Sequence, residues 1–373
     1  MQESELPGLI QQVLWASFVL ALAFGAIAQR THFCTMGAVA DIVNIGDWSR
    51  MRMWVLALGV AMIGFNVMVG LGWIEARHSI YAGPRLLWLS NLLGGLMFGF
   101  GMVLASGCAS KTLVRVGAGN LKALVVFLVL GLAAYATLRG VVAVLRVNSV
   151  DTVNLVLPRG QDLPTLLAPW LGTGAQTQTL ALVLGLGLGL ALVLFAVLRA
   201  EGRSADVLLG GFGIGALVAA AWWVSGRLGH LSEHPLTLEE SFLATNSRAM
   251  EALSFVAPVA YTLDWLILFS DSSKVLSIGI VSTLGVIAGS GLMALATRKF
   301  RWEGFGGVED TANHLVGAVL MGVGGVMAVG CTIGQGLSGM STLALGSFIA
   351  LAAIIAGAVL ALRWQIWRLE RSL

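Results

Sequence analysis

The sequence predicts an all-α fold: a polytopic integral membrane bundle with two inverted repeats and short re-entrant half-helices. Its composition, a duplicated segment and the distribution of positive charge lead to this. Of its 373 residues, 57% are hydrophobic and 11% charged, with 48 glycines and a mean hydropathy of +0.88. Such a chain is no soluble globular domain. At roughly 20 residues per crossing, its length suits about nine to thirteen spanning or half-spanning helices in the lipid bilayer.

The duplicated segment is the organising feature. His314 to Gly330 reads HLVGAVLMGVGGVMAVG and runs into CTIGQGLSGM. Its apolar part is about 17 residues long, near the minimum for a crossing, so the helix is expected to stop inside the membrane. Backbone that leaves a helix at that depth must be buried in protein or line a wet cavity. Gly94 to Asn120 repeats the pattern as GGLMFGFGMVLASGCASKTLVRVGAGN. Aligning Cys108 with Cys331 also aligns Gly94 with Gly317, Gly99 with Gly322, Gly101 with Gly324, Ala105 with Ala328 and Gly107 with Gly330. Two glycine-interrupted segments in corresponding halves point to the central site of a transporter.

Read in order, the chain divides into a first membrane repeat (1–146), an extramembrane connector (147–178), a linker transmembrane helix (179–199) and a second membrane repeat (200–373). The leader MQESELPG is acidic and the first apolar run lacks a basic n-region, so no cleavable signal is expected. Gly8 to Ala28 forms the first span. The break QRTHFC and a short apolar piece, Thr35 to Val43, follow. Trp54 to Gly72, Leu86 to Ser106 and Leu121 to Leu145 are the next apolar segments. Pro158, Pro164 and Pro169 mark the connector, which has no apolar helical period.

Leu180 to Leu198 is the linker. Ala205 to Val224 opens the second repeat, with Gly210, Gly211, Gly213 and Gly215 suited to close packing. Leu253 to Phe269, broken by Pro258 and Asp264, is expected not to cross fully. Val275 to Ala296 crosses, and Thr342 to Leu362 is the last span. The tail RWQIWRLERSL is expected at the membrane surface.

A sequence pI near 9.0 does not indicate nucleic acid, because the basic residues are spread through interhelical loops as topology markers. With an outside N-terminus, Arg30, Arg50, Arg52, Lys111, Arg115, Lys122, Arg199, Arg203, Arg298, Lys299, Arg301, Arg363, Arg368 and Arg371 lie inside, 14 of the 22 Lys and Arg. That is the bias of the positive-inside rule. The Cys108 span then runs inward and the Cys331 span outward, an inverted pair.

The chemistry centres on three cysteines: Cys34, Cys108 and Cys331. A lone cysteine is most often a small buried hydrophobe. Here each follows an apolar segment and opens a small-residue or polar stretch: CTMG, CASKT, CTIGQG. There is no C-x-x-C and no H-E-x-x-H, so neither a thioredoxin-like dithiol nor a zinc motif is indicated, and no cofactor is expected. Half-helix N-termini meeting across the bundle would offer free N–H groups and positive dipole ends to an anion. Thr35, Ser110, Thr112, Thr332 and Gln335 would add donors. The thiols add a soft, polarizable weak donor and acceptor, which suits an anion with oxygen and sulfur faces.

The stretches QRTHFCTMGAVADIVNIGDWSRMRMW, GFGMVLASGCASKTLVRVGAGN and GVGGVMAVGCTIGQGLSGMSTLALGSF resemble the three signature regions of the YeeE/YedE family. Its characterised members import thiosulfate across the bacterial inner membrane. The resemblance implies that the family's functional cysteines correspond to Cys34, Cys108 and Cys331. It implies thirteen helices, some shorter than the membrane, around a narrow path below a positively charged outer concavity. It also implies passage of the thiosulfate ion between thiols by S–H···S contacts without a persistent disulfide. On this basis Arg77, Arg85 or Arg227 draws the ion in, Cys331 with Thr332 and Gln335 meets it first, and Cys108 and then Cys34 receive it. A cytoplasmic sulfur-carrier protein is a candidate acceptor. The connector 147–178 is longer than a minimal member needs.

Other residues carry competing readings. Lys111 and Arg115, one and two turns beyond Cys108, are binding groups or topology anchors. Asp264 is a functional intramembrane acid or a helix cap. His32 and His314 are expected to be hydrogen-bonded structural histidines. Two rival classes remain: a soft-metal conduit for Cu(I), using the cysteines with Met36 and Met340, and a membrane sulfurtransferase with a cysteine nucleophile. Another sulfur- or selenium-containing anion is a further alternative.

Overall fold

The computed structural model describes residues 3–170 and 176–371. Those residues form fourteen α-helices and two minimal antiparallel strand pairs. Eight stretches are long and apolar enough to cross a membrane. The fold is therefore a polytopic all-α membrane protein.

Three helices open the chain: α1 (Leu6–Thr31), the short α2 (Thr35–Ile45) and α3 (Ser49–Gly70). After strand β1 (Arg85–Leu86) come α4 (Trp88–Leu104), α5 (Ala109–Gly117), α6 (Leu121–Arg139) and α7 (Val141–Asn148). Leu121 to Leu145 is thus not one helix. The backbone at Gly140 is extended (φ −98°, ψ −159°) and ends α6. Strand β2 (Leu155–Val156) pairs with β1, Arg85 opposite Val156. The five-residue α8 (Leu163–Leu167) is capped by Asp162, whose carboxylate accepts the Thr165 N–H, and has a proline in its first turn.

The connector does not merely hang outside the bundle. Gln161 and Asp162 are buried, the Leu163 N–H donates to the Leu343 carbonyl and the Leu345 N–H to the Gln161 carbonyl. Its segment 171–175 lies outside the described residues.

The second half contains α9 (Thr177–Val197), α10 (Ala205–Trp223), a hairpin of β3 (His230–Leu231) and β4 (Ser241–Phe242), then α11 (Ala257–Ile267), α12 (Ile278–Ala296), α13 (Val308–Met327) and α14 (Leu345–Glu370). The expected surface tail continues α14 as helix as far as Glu370. Arg368 bridges to Glu309 at 3.0 Å and lies over the Trp364 ring, 5.6 Å from its centroid. At 11 residues each, α2 and α11 are about 16 Å long at 1.5 Å per residue, half a membrane crossing.

Small residues set the packing, as expected where lipid supplies no hydrophobic drive between helices. A Cβ on Gly25 of α1 would lie 2.2 Å from the Val286 carbonyl oxygen of α12. One on Gly99 of α4 would lie 2.0 Å from that of Ile354 in α14. Helix α4 also crosses α13 through Gly94 against Gly324, and α13 packs on α6 through Gly322. Connections at one face carry the basic residues: Arg52 pairs with Glu201 at 3.4 Å, Lys122 with Asp310 at 2.8 Å, and the Arg301 N–H donates to the Ala118 carbonyl. The opposite face carries the connector and the β3–β4 hairpin.

Candidate functional site

The helices before the three cysteines end alike. His32, Ser106 and Val329 adopt left-handed backbone with φ of 54°, 54° and 57°. The next residue sends its N–H five residues back: Phe33 to Ala28 at 3.2 Å, Gly107 to Met102 at 2.8 Å, Gly330 to Gly325 at 2.8 Å. This 6→1 bond is the Schellman C-cap. Glycine is its usual left-handed residue, and a β-branched valine there is strained.

In each case a cysteine stands two residues past the left-handed position and opens the next element. Cys34 is the N-cap of α2 and its Sγ accepts the Gly37 N–H at 3.4 Å. Cys108 is the N-cap of α5; the Lys111 N–H faces its sulfur without closing a cap bond. Cys331 leads into a π-helical turn, Gly334–Gly339, and its Sγ accepts the Gly334 N–H at 3.4 Å. The Phe255 N–H, just before α11, faces Cys331 as well.

These three elements converge. All three thiols are free and buried. Cys34 and Cys108 face each other closely enough to interact, and Ser110 Oγ is 3.2 Å from Cys108 Sγ. The Thr332 hydroxyl faces the Cys108 sulfur but lacks good hydrogen-bond geometry to it or to any other group. Cys331, next to Thr332, is within electrostatic reach of Cys108. The sulfurs therefore follow the order Cys331, Cys108, Cys34.

Thr35 Oγ1, Thr332 Oγ1 and Gln335 Oε1 are buried without hydrogen-bond partners, while Gln335 Nε2 donates to the Ala328 carbonyl at 2.5 Å. Leaving such an atom unpaired costs about 1–3 kcal/mol. Those of Thr35 and Thr332 flank the cysteines directly in the chain. Thr112 is different: its hydroxyl donates to the Cys108 carbonyl at 3.1 Å inside its own helix.

The two ends differ in charge. At the basic end the Lys111 ammonium is within electrostatic reach of Cys34 and Cys108. Arg50, paired with Asp41 at 3.1 Å, lies over Gly37, where a Cβ would meet its guanidinium at 2.5 Å. Arg115 holds the α4 break by donating to the Ser106 carbonyl at 2.9 Å.

At the connector end a cavity of about 180 Å³, lined by Tyr81, Arg85, Asn91, Gln161, Gln335 and Ser347, reaches the π-helical turn. Another, of about 220 Å³, carries Arg146 and Glu251 and reaches Gly330. Of the three arginines considered for this side, only Arg85 lines either cavity. Arg77 pairs with Glu75 at 2.6 Å, and Arg227 is exposed on the turn after α10.

Sequence reasoning did not find Tyr81, Trp54, Arg50 or Gln161. A Cβ on Gly334 would lie 3.1 Å from the Tyr81 hydroxyl, and one on Gly336 would lie 2.8 Å from the Trp54 indole. Arg50 is inside the first signature stretch and was legible as a charge near Cys34. Tyr81 and Gln161 carry no local signal. Asp264 pairs with Lys274 at 2.6 Å, and His314 Nδ1 is 2.7 Å from the Asp310 carbonyl oxygen, both structural arrangements.

Residues 30–360 match the sulphur transport family. Over 354 residues the chain is 27% identical to thiosulfate transporter TsuA of Spirochaeta thermophila, covering 91% of this chain and 94% of that protein. It is 24% identical over 333 residues to thiosulfate transporter TsuA of Escherichia coli, covering 87% of each. A 110-residue stretch, 30% of this chain and 26% of the relative, is 30% identical to the probable transporter YedE of Escherichia coli. With its thiol-lined breaks and multi-pass helical bundle, the chain belongs to the sulphur transport family, as a membrane transporter and not an enzyme.

Proposed function

We propose that the chain imports thiosulfate across the bacterial inner membrane along the line Cys331, Cys108, Cys34. The observation that carries this reading is the convergence of three buried thiols, each at the start of a broken helix, beside unpartnered Thr35, Thr332 and Gln335 atoms. The relatives named as thiosulfate transporters along most of their length support the substrate.

A dianion moving through protein loses hydration, which is costly without replacement partners. The N-terminal dipoles of α2 and α5, and the thiols that the Gly37 and Gly334 amides hold in place, provide partners without a full charge at each step. Thiols donate weakly through S–H and accept softly at sulfur, matching the sulfur end of thiosulfate, while Ser110, Thr332 and Gln335 serve its oxygens. A thiolate would repel the dianion, so the thiols act protonated. Arg85 attracts the ion at the connector face. Lys111 and Arg50 draw it onward at the basic face, which the positive-inside rule makes cytoplasmic. A cytoplasmic sulfur-carrier protein is the proposed acceptor.

Two inverted halves, 1–146 and 200–373, joined through the 147–178 connector and the linker helix α9, belong to the same reading. Supporting it, α4 packs on α14 as α13 packs on α6, and α1 on α12 as α10 on α3.

The test is uptake of radiolabelled thiosulfate into proteoliposomes containing wild type, Cys34→Ala, Cys108→Ala or Cys331→Ala. Cys108→Ala and Cys331→Ala are expected to lose uptake at normal reconstitution. Full uptake by either overturns the relay, and uptake of sulfate or selenite in place of thiosulfate overturns the substrate.

A further inference from the structure

On the connector face, away from the thiols, His78, His230 and Glu240 come together from two distant parts of the chain. His78 ends the turn Ala76–His78, His230 is in β3, and Glu240 immediately precedes β4. One ligand atom from each lies within 4.8 Å of the others. His230 Nε2 is 2.8 Å from Glu240 Oε1, and His78 Nε2 is 3.5 Å from Glu240 Oε2.

We propose that these three residues bind a divalent transition cation of the zinc class, clamping the loop after α3 to the β3–β4 hairpin. Zinc at about 2.0–2.2 Å from nitrogen and oxygen ligands in tetrahedral geometry sets those atoms about 3.3 Å apart. The ligand atoms, all within 4.8 Å of one another, draw together by at most about 1.5 Å to reach that spacing. Two imidazoles and one carboxylate are a borderline donor set that suits zinc, nickel or copper(II) over calcium or magnesium.

The scaffold fixes the ligands. The two imidazoles stack at 5.9 Å, and Phe242 packs on them at 5.5 and 5.0 Å. The Met250 N–H donates to the His78 carbonyl at 2.8 Å, and Leu243 N–H to that of Gly229 at 2.8 Å. Both Nε2 atoms turn toward the carboxylate, leaving each Nδ1 for the proton of the metal-binding tautomer. Glu75 Oε2, 3.9 Å from His78 Nε2, is engaged by Arg77, so water completes the shell.

The alternative is a metal-free His–Glu–His hydrogen-bond network joining the same loops. It needs no cation and predicts no stoichiometric binding.

The test uses full-length protein in detergent, stripped with a chelator, dialysed and titrated with Co2+ as a spectroscopic probe and then with Zn2+. One Co2+ per chain with ligand-field bands, displaced by Zn2+, is expected. His230→Ala and Glu240→Gln should each weaken binding at least tenfold, with His234→Ala unchanged. His230→Gln, which keeps a polar side chain, controls for loss of the hairpin. Failure of the folded wild type to bind one equivalent, or unchanged binding in folded His78→Ala and His230→Gln, overturns the site.

Discussion

Gly101 and Gly317 meet backbone to backbone where α4 crosses α13. A Cβ on Gly101 would lie 2.7 Å from the Gly317 carbonyl oxygen, and one on Gly317 would lie 2.6 Å from that of Gly101. Seven residues away, Gly94 and Gly324 do the same, each 2.6 Å from the other's oxygen. In the duplicated pattern Gly94 aligns with Gly317 and Gly101 with Gly324, so each glycine packs against the counterpart of its neighbour.

Gly317→Ala puts a methyl where a carbonyl already stands, and overpacking of this kind costs about 1–3 kcal/mol. Thermal unfolding in detergent should fall by several degrees. Gly8→Ala, at a position with nothing within 4 Å, should leave it unchanged.

Thr332→Val removes a buried, unpartnered hydroxyl. The apo protein should be as stable as wild type or more so, since a lone buried polar group is a liability. A lost hydrogen bond to a charged ligand is worth about 1.5–3 kcal/mol, so thiosulfate uptake below saturation should drop about 10- to 100-fold. Lower stability together with unchanged uptake would remove Thr332 from the path.

Val329→Gly tests the left-handed turn before Cys331. Relief of φ 57° at a β-branched residue gains about 1–2 kcal/mol, partly offset by about 0.4–1 kcal/mol of unfolded-chain entropy. The variant should melt at or above wild type, whereas Val326→Gly, inside α13 and buried, should melt below it.

Cation binding at His78, His230 and Glu240 should depend on pH in one direction. Because burial lowers His78 below the ordinary 6.5, its neutral, ligating form persists somewhat below that value. Affinity should therefore be flat above neutrality and fall as pH drops through the imidazole range, because a proton competes with the cation for the His78 nitrogen. The His230 contact holds the Glu240 carboxyl below the usual carboxylate range. Glu75 and Arg77, the other charges facing the cluster, are paired with each other. Equilibrium dialysis with Zn2+ from pH 8 to pH 5 checks the profile, and affinity that rises on acidification would contradict it.

Membrane class, the two glycine-rich breaks and the three cysteines were legible in the linear chain. A hydrophobic run too short to cross, ended by Gly-Cys, constrains its own backbone whatever surrounds it. Thr332, Gln335, Ser110, Lys111 and Thr35 are sequence neighbours of those breaks, so proximity alone nominated them. The kink at Gly140 and the helical continuation to Glu370 were not legible, because a uniformly apolar or mixed stretch has no period that tells one helix from two.

Sequence by itself determined that this chain lives in a bilayer, where its helices fail and which soft side chains stand at the failures, because hydropathy and local backbone rules act over a few residues. Only the tertiary structure decided that Cys34 faces Cys108, that Gln161 of the connector reaches Leu345, and that His78 stacks on His230 across 152 positions. Those pairings follow from helices interlocking through glycine contacts, a relation between surfaces far apart in the chain that no local pattern encodes.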